Sequence, residues 1–176
     1  MASWNRPRRA GCRLQHRIVL EGVDFDRFMT RVNPLIVGIL RSPLHGLMSS
    51  GLLALTVTGR RTGRRYTIPV GYQRDGDRFV ILVSKARRKN WWRNYLEPAP
   101  VEMLIAGQKV PGMGWVVQPE SFEFRKNAER TFRRMPWLGK QFAIEYDTRT
   151  GLTEAQVAHL GVEGAMVQIE SAPAGS

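Results

Sequence analysis

Tyr66, Ile68, Val70 and Tyr72 alternate with Thr67, Pro69, Gly71 and Gln73, a period of two that predicts a strand with one buried face. Pro69 lacks an N–H, so that strand belongs at a sheet edge or a bulge. Residues 52–58 predict a strand before it. Residues 79–84 are apolar on both faces, as expected of a buried strand. Asp75-Gly76 supplies a hairpin turn between the two. Residues 101–105 and 110–117 predict a second hairpin around Ala106-Gly107-Gln108.

Elsewhere the spacing is helical. Phe25, Phe28, Met29, Val32, Ile36, Ile39 and Leu40 recur every three or four positions, with Asp24 placed to cap them and Pro34 to bend or restart the helix. Residues 42–51 read as a loop or a short second helix. A short helix over 91–96 stops before Pro98. Phe124, Ala128, Phe132 and Met135 mark a later helix, followed by a segment at 142–146, a helix near 153–160 and a strand near 166–169. About six strands joined by hairpins, with flanking helices, predict an α+β fold: one domain over 23–176 around an antiparallel sheet or small barrel. A doubly wound parallel sheet does not fit, because helices do not separate the central strands.

Composition changes this picture in two places. The chain has 176 residues, 43% hydrophobic and 24% charged, an ordinary globular balance. It carries 27 Lys+Arg against 15 Asp+Glu, a net charge of +12, which favours anionic partners. The single cysteine, Cys12, excludes an intrachain disulfide framework, and His16, His45 and His159 are too scattered for a metal motif. Residues 1–22 read as a flexible basic arm. Arg6, Arg8, Arg9, Arg13 and Arg17 precede only the short apolar run 18–20, which is no export signal, and the formally uncharged stretch 42–59 is broken by Pro43, Gly46 and Gly51. The expected compartment is the cytoplasm.

The charge is unevenly laid out. No acidic residue lies between Asp26 and Asp75, an interval holding eight arginines, and a second acid-free interval runs over 78–96. Within the first lies Thr58-Gly59-Arg60-Arg61-Thr62-Gly63-Arg64-Arg65. Two glycines loosen the backbone so that amide N–H groups could converge on an anion, Thr58 and Thr62 add hydroxyls, and the arginines add planar donor forks for phosphate or carboxylate. Read alone, the segment is equally a basic β-turn. Ser84-Lys85 and the loop to Asn90 form a second cluster, where Lys85 contacts a phosphate or ring carbonyl or simply opens a solvated loop. In Asn90-Trp91-Trp92-Arg93-Asn94-Tyr95 the adjacent tryptophans cannot share a helix face, so one faces the core and the other a pocket. No Ser-His-Asp arrangement and no paired carboxylates occupy the basic centre. The pattern favours binding a flat anionic molecule, with any hard chemistry coming from a cofactor.

These blocks together resemble a known family. Leu55-Thr56-Val57-Thr58-Gly59-Arg60-Arg61-Thr62-Gly63, Ile68-Pro69-Val70, Arg74-Asp75-Gly76-Asp77-Arg78, Val83-Ser84-Lys85 and Asn90-Trp91-Trp92-Arg93-Asn94 are similar, in this order, to the deazaflavin-dependent nitroreductases of actinobacteria, over residues 25–117 and more loosely beyond. The resemblance implies a split β-barrel, often dimeric, and the deazaflavin coenzyme F420 with its anionic, phosphate-linked polyglutamate tail; FMN is the lesser candidate. It implies hydride transfer from the reduced cofactor to a quinone-like or nitroaromatic acceptor. By position, Arg60 and Arg61 would approach the phosphate and tail, with Thr62, Arg65 and Tyr66 beside them. Pro69 and Val70 would line the deazaflavin, Ser84 and Lys85 would contact its ring or linker, and Trp91 and Asn94 would border the pocket. Two departures stand out. Ala86-Arg87 replaces a Gly-Gly usual after Ser-Lys, and Tyr66 falls where a basic residue is usual, so that Arg64 or Arg65 must substitute. Tyr146 is the one tyrosine beyond Tyr95 available to shape an acceptor pocket.

Two other readings compete. One keeps the fold without catalysis, as an FMN, tetrapyrrole or lipid binding protein. The other is a nucleic-acid or membrane-surface protein. The basic stretches carry no RNA-recognition or helix-turn-helix signature, so nucleic acid is not expected. Peripheral membrane contact through the amphipathic segment 25–40 is compatible with a quinone-like acceptor.

Overall fold

A computed structural model of the chain describes residues 51–172. The predicted basic arm, the helix over 25–40, Cys12, His16 and His45 lie outside these residues. Seven strands form one antiparallel sheet: β1 (Leu52–Thr58), β2 (Arg65–Gly71), β3 (Gln73–Asp75), β4 (Arg78–Val83), β5 (Ala99–Ile105), β6 (Gln108–Val117) and β7 (Ala165–Ser171), in the order β2-β1-β5-β6-β7-β4-β3. A 3-10 turn (Trp91–Tyr95) precedes β5. Helix α1 (Phe122–Arg134), the single turn α2 (Gly139–Phe142) and α3 (Glu154–Glu163) lie between β6 and β7.

The sequence predicts one strand over 66–72; the chain instead divides it. β2 pairs with β1 through Gly71, whereas Gln73 to Asp75 pair with β4 on the opposite edge of the sheet. The break falls at Tyr72, whose N–H donates to Gly51 O at 3.1 Å. One continuous segment thus serves both edges, and the sheet curls until β2 touches β4. This is the expected split β-barrel, with seven strands rather than six. Pro69 sits on edge strand β2 opposite Ala54, where its missing donor breaks no ladder.

Alternation then sorts the side chains. Leu53, Leu55 and Val57 of β1, Phe79, Ile81 and Val83 of β4, Met103 of β5 and Val167 and Ile169 of β7 fill the inside of the curl, closed at one end by Tyr95 of the 3-10 turn. Burying each such side chain stabilises the fold by about 1.5–3 kcal/mol. Gly114 admits Tyr95, since a Cβ there would lie 3.0 Å from the tyrosine ring. Val80, Val117 and Met166 face the other way, against Phe124, Ala128 and Phe132 of α1 and Val157 and Leu160 of α3. Both helices begin on side-chain caps: Ser121 Oγ accepts from Phe124 N at 3.1 Å, and Thr153 and Gln156 form a reciprocal capping box. Ala106 and Gly107 both take positive φ, as a two-residue hairpin with the twist of its strands requires.

Candidate functional site

Between β1 and β4 lie four antiparallel pairings, through β5, β6 and β7. Four reversals restore direction, so β1 and β4 end on the same side of the sheet. The arginine bend after Thr58 and the basic loop after Val83 therefore share one end of the barrel. The 3-10 turn joins them. Asn94 Oδ1 accepts from the Arg60 N–H at 2.8 Å, while Asn94 Nδ2 donates to Trp91 O at 2.8 Å and to Tyr66 Oη at 3.4 Å. One carboxamide thereby fixes the bend against the turn.

Between them opens a cleft of about 320 Å³ lined by Gly59, Arg60, Arg61, Thr62 and Tyr66 on one side and Asn90, Arg93 and Asn94 on the other. Three guanidinium groups line it and no carboxylate does. Arg60, Arg61 and Arg64 form no ion pair among the described residues. Arg93 is held by Asn90, whose Oδ1 accepts from its Nη1 at 3.2 Å, and by the Trp92 ring 5.5 Å below its guanidinium. Tyr66 is 40% exposed at the rim. The arrangement suits a planar group with a phosphate or carboxylate beside it.

The anion-binding amides expected in the bend are already engaged. Gly59 N donates to Arg64 O, Thr62 N and Gly63 N to Gly59 O, and Arg60 N to Asn94. A tight turn closes through its own amides, which leaves the Arg61 N–H as the one amide of 59–63 without a partner among the described residues. Recognition at this end falls to side chains.

The residues singled out in the sequence divide accordingly. Arg60, Arg61, Thr62, Tyr66 and Asn94 line the cleft. Arg65 points to the outer face of β2, where Glu102 lies 3.7 Å from it and 3.6 Å from Lys109. Val70 is buried inside the barrel, and Pro69, its neighbour on the strand, faces outward. Trp91 packs on the core, its ring T-shaped to that of Tyr95 with centroids 6.3 Å apart, and Trp92 donates from Nε1 to Ala86 O at 2.9 Å. Ser84 and Lys85 do not line the cleft. Their loop is drawn toward α3, where Ala86 N donates to Glu163 O at 3.0 Å and Arg87 lies 3.7 Å from the Glu163 carboxylate. Lys85 itself is exposed, with a positive φ of 52°. Tyr146 belongs to the helical side of the sheet: it stacks near Phe132 and donates to Glu129 Oε1 at 2.7 Å. His159 is likewise tied to Phe142 O at 2.9 Å.

Gly59, Asn90 and Arg93 were not among the predicted site residues. The signal was present for the last two: positions 90, 93 and 94 fall on one side of a helical turn, opposite Trp91 and Tyr95.

Comparison with known proteins bears on this cleft. Residues 40–135, more than half of the chain, match the model of the F420H(2)-dependent quinone reductase family. The chain belongs to the F420H(2)-dependent quinone reductase family. The matched span contains every residue of the cleft. No curated protein matches the chain in sequence. Among solved structures, one described as a domain-swapped dimer has 12% identity, 84% coverage of this chain, 98% of its own and a TM-score of 0.52. HutZ, the heme storage protein from Vibrio cholerae, has 11% identity, 80% and 89% coverage and a TM-score of 0.46. A structure described as an F420 reductase has 12% identity, 77% and 92% coverage and a TM-score of 0.37. At these identities such likeness concerns the fold alone. No helix among the described residues is long and apolar enough to cross a membrane.

Proposed function

We propose that the protein is an F420-dependent oxidoreductase that reduces a quinone-like acceptor. The carrying observation is the cleft: three guanidinium groups, Arg60, Arg61 and Arg93, with no carboxylate in its lining, opened at the barrel end by a bend that Asn94 holds in place. These residues fit the cofactor. Its phosphate and polyglutamate tail need fixed cations, which the arginines supply, and its flat ring needs an amphipathic surface, which Tyr66 supplies at the rim. When bound, the reduced deazaflavin supplies the hydride.

The chain's own part is positioning. Asn94 fixes the bend and so the spacing of Arg60 from Arg93. Arg93, stacked on Trp92 and hydrogen-bonded to Asn90, presents its guanidinium without having to order a free side chain on binding. The same positive field favours the negative charge that develops on a quinone oxygen as it is reduced. Ser84 and Lys85 stand at the same end of the barrel and serve a larger ligand that extends beyond the cleft. We also propose that the chain pairs as a homodimer, as its neighbour in fold does; light scattering tests that directly.

Addition of reduced F420 and a short-chain quinone to the purified protein tests the function. Acceptor-dependent loss of the reduced cofactor, abolished in an Arg60→Ala/Arg61→Ala variant that still folds, is the expected result. Tight binding without turnover would instead favour a non-catalytic binding protein, and absence of binding would end the proposal.

A further inference from the structure

Trp92 is half-buried at the edge of the core, and its two chemically distinct parts face two different segments. The ring face lies 5.5 Å below the guanidinium of Arg93, which lines the cleft. The indole N–H donates to Ala86 O at 2.9 Å, in the loop after β4. A phenylalanine could supply the first contact but not the second, because only the indole carries a donor.

Ala86 is the fixed point of that loop. It is 3% exposed; its N–H donates to Glu163 O at 3.0 Å, and its carbonyl accepts from Lys89 N at 3.2 Å as well as from Trp92. The residue before it, Lys85, takes a φ of 52°, in the left-handed region that favours glycine. Such a conformation persists where surrounding contacts hold it, and it clusters at binding sites. Here the holding contacts fall on the next residue. They leave the Lys85 side chain exposed, with no ion-pair partner among the described residues.

One indole thus ties a cation of the cleft to the loop that carries a second, unpaired cation. We propose that Trp92 is a positioning residue: it holds Arg93 at the cleft wall and the Lys85 loop beside it, so that the two cations grip one extended polyanion. The proposal rests on the F420 reading only for the identity of that polyanion, the cofactor's phosphate-linked tail. The three guanidinium groups of the cleft take the first anionic group, and Lys85, outside the cleft lining, takes a later one. Cations held in this way need little ordering on binding.

A double-mutant cycle tests it, with inorganic tripolyphosphate as the probe and oxidised F420 in parallel, titrated at low salt into variants whose fold is checked by thermal unfolding. Lys85→Ala is expected to weaken tripolyphosphate binding about fivefold in the wild-type background and less than about twofold in Trp92→Phe, which keeps a ring but not the donor. Arg93→Ala and Arg60→Ala should each cost the same factor in both backgrounds. In Trp92→Leu, which also removes the face under Arg93, the Arg93→Ala factor should fall too, while that of Arg60→Ala stays. A tryptophan that only packs would change all three factors together, or none. Hydrogen exchange adds a readout without ligand. The Arg88 and Lys89 amides, which donate to Lys85 O and Ala86 O at 3.0 and 3.2 Å, should exchange faster in Trp92→Phe while those of α1 do not change. Coupling with tripolyphosphate but no binding of F420 would end the cofactor reading and support the role of Trp92. No binding of tripolyphosphate, an equal Lys85→Ala factor in wild type and Trp92→Phe, or unchanged exchange in the loop would each overturn the proposal.

Discussion

Replacing Asn94 separates the scaffolding of the cleft from its charge. In Asn94→Ala the Arg60 N–H and the Trp91 carbonyl each lose a 2.8 Å partner, and Tyr66 loses a weaker one at 3.4 Å. At about 1 kcal/mol for each good hydrogen bond, the loss is about 2 kcal/mol, or about 4–8 °C in Tm for a chain of this size. Asn94→Asp keeps the acceptor for Arg60 but sets a carboxylate oxygen against the Trp91 carbonyl. It also places a negative charge among three guanidinium groups. A charge about 6 Å from a bound phosphate, at effective dielectrics between those of protein surface and water, costs about 1–3 kcal/mol, a weakening of ~5–100-fold. The assays are thermal unfolding and titration of oxidised F420 by its absorbance or fluorescence. The aspartate variant should lose more affinity than the alanine variant, and the difference should shrink in high salt. Equal affinities for the wild type and Asn94→Asp would refute the placement of the anion beside this turn.

Three further outcomes follow from the same structure. Tyr95→Phe removes a buried hydroxyl that has no partner among the described residues and whose pKa is pushed up by burial and then by the nearby Tyr66; it should raise stability by about 1 kcal/mol, seen in denaturant unfolding. Gly112→Ala would place a Cβ 2.6 Å from the Glu170 carbonyl across the ladder, and that overpacking should lower stability by about 1–3 kcal/mol in the same experiment. Glu129 accepts from Tyr146 Oη and from Leu152 N, both at 2.7 Å. Burial raises its pKa, but these bonds and the Arg133 charge outweigh it, leaving the carboxyl below its ordinary value of 4.5. Its stabilisation is therefore present above about that pH and fades as pH falls through the depressed value, so Glu129→Gln should flatten the acid limb of a Tm-against-pH profile.

The strands were legible because alternation and apolar runs survive in the folded chain: 52–58, 79–83 and the hairpin over 101–117 appear nearly as read. The split at Tyr72 was not, because it depends on which edge each half of one continuous segment pairs with, a tertiary choice that leaves no periodicity behind. The bend is legible in the sequence as chemistry but not as backbone. Glycine spacing shows that a turn can form, not that its amides stay free once it has formed. Ser84 and Lys85 share the barrel end with the bend, yet Glu163, 78 positions after Lys85, pulls their loop toward α3. No local signal encodes that contact. Asn90 and Arg93 are readable from helical spacing, on the side of the turn away from Trp91 and Tyr95, which pack on the core.

The most direct test of the central claim is a comparison of F420 with the same chromophore lacking the phosphate-linked tail, titrated into wild type and into Arg60→Ala/Arg61→Ala. The account predicts that the intact cofactor binds the wild type much more tightly than the tail-less chromophore, and that this advantage largely disappears in the double variant. An advantage of equal size in both proteins would show that the tail is held elsewhere, and would contradict the account.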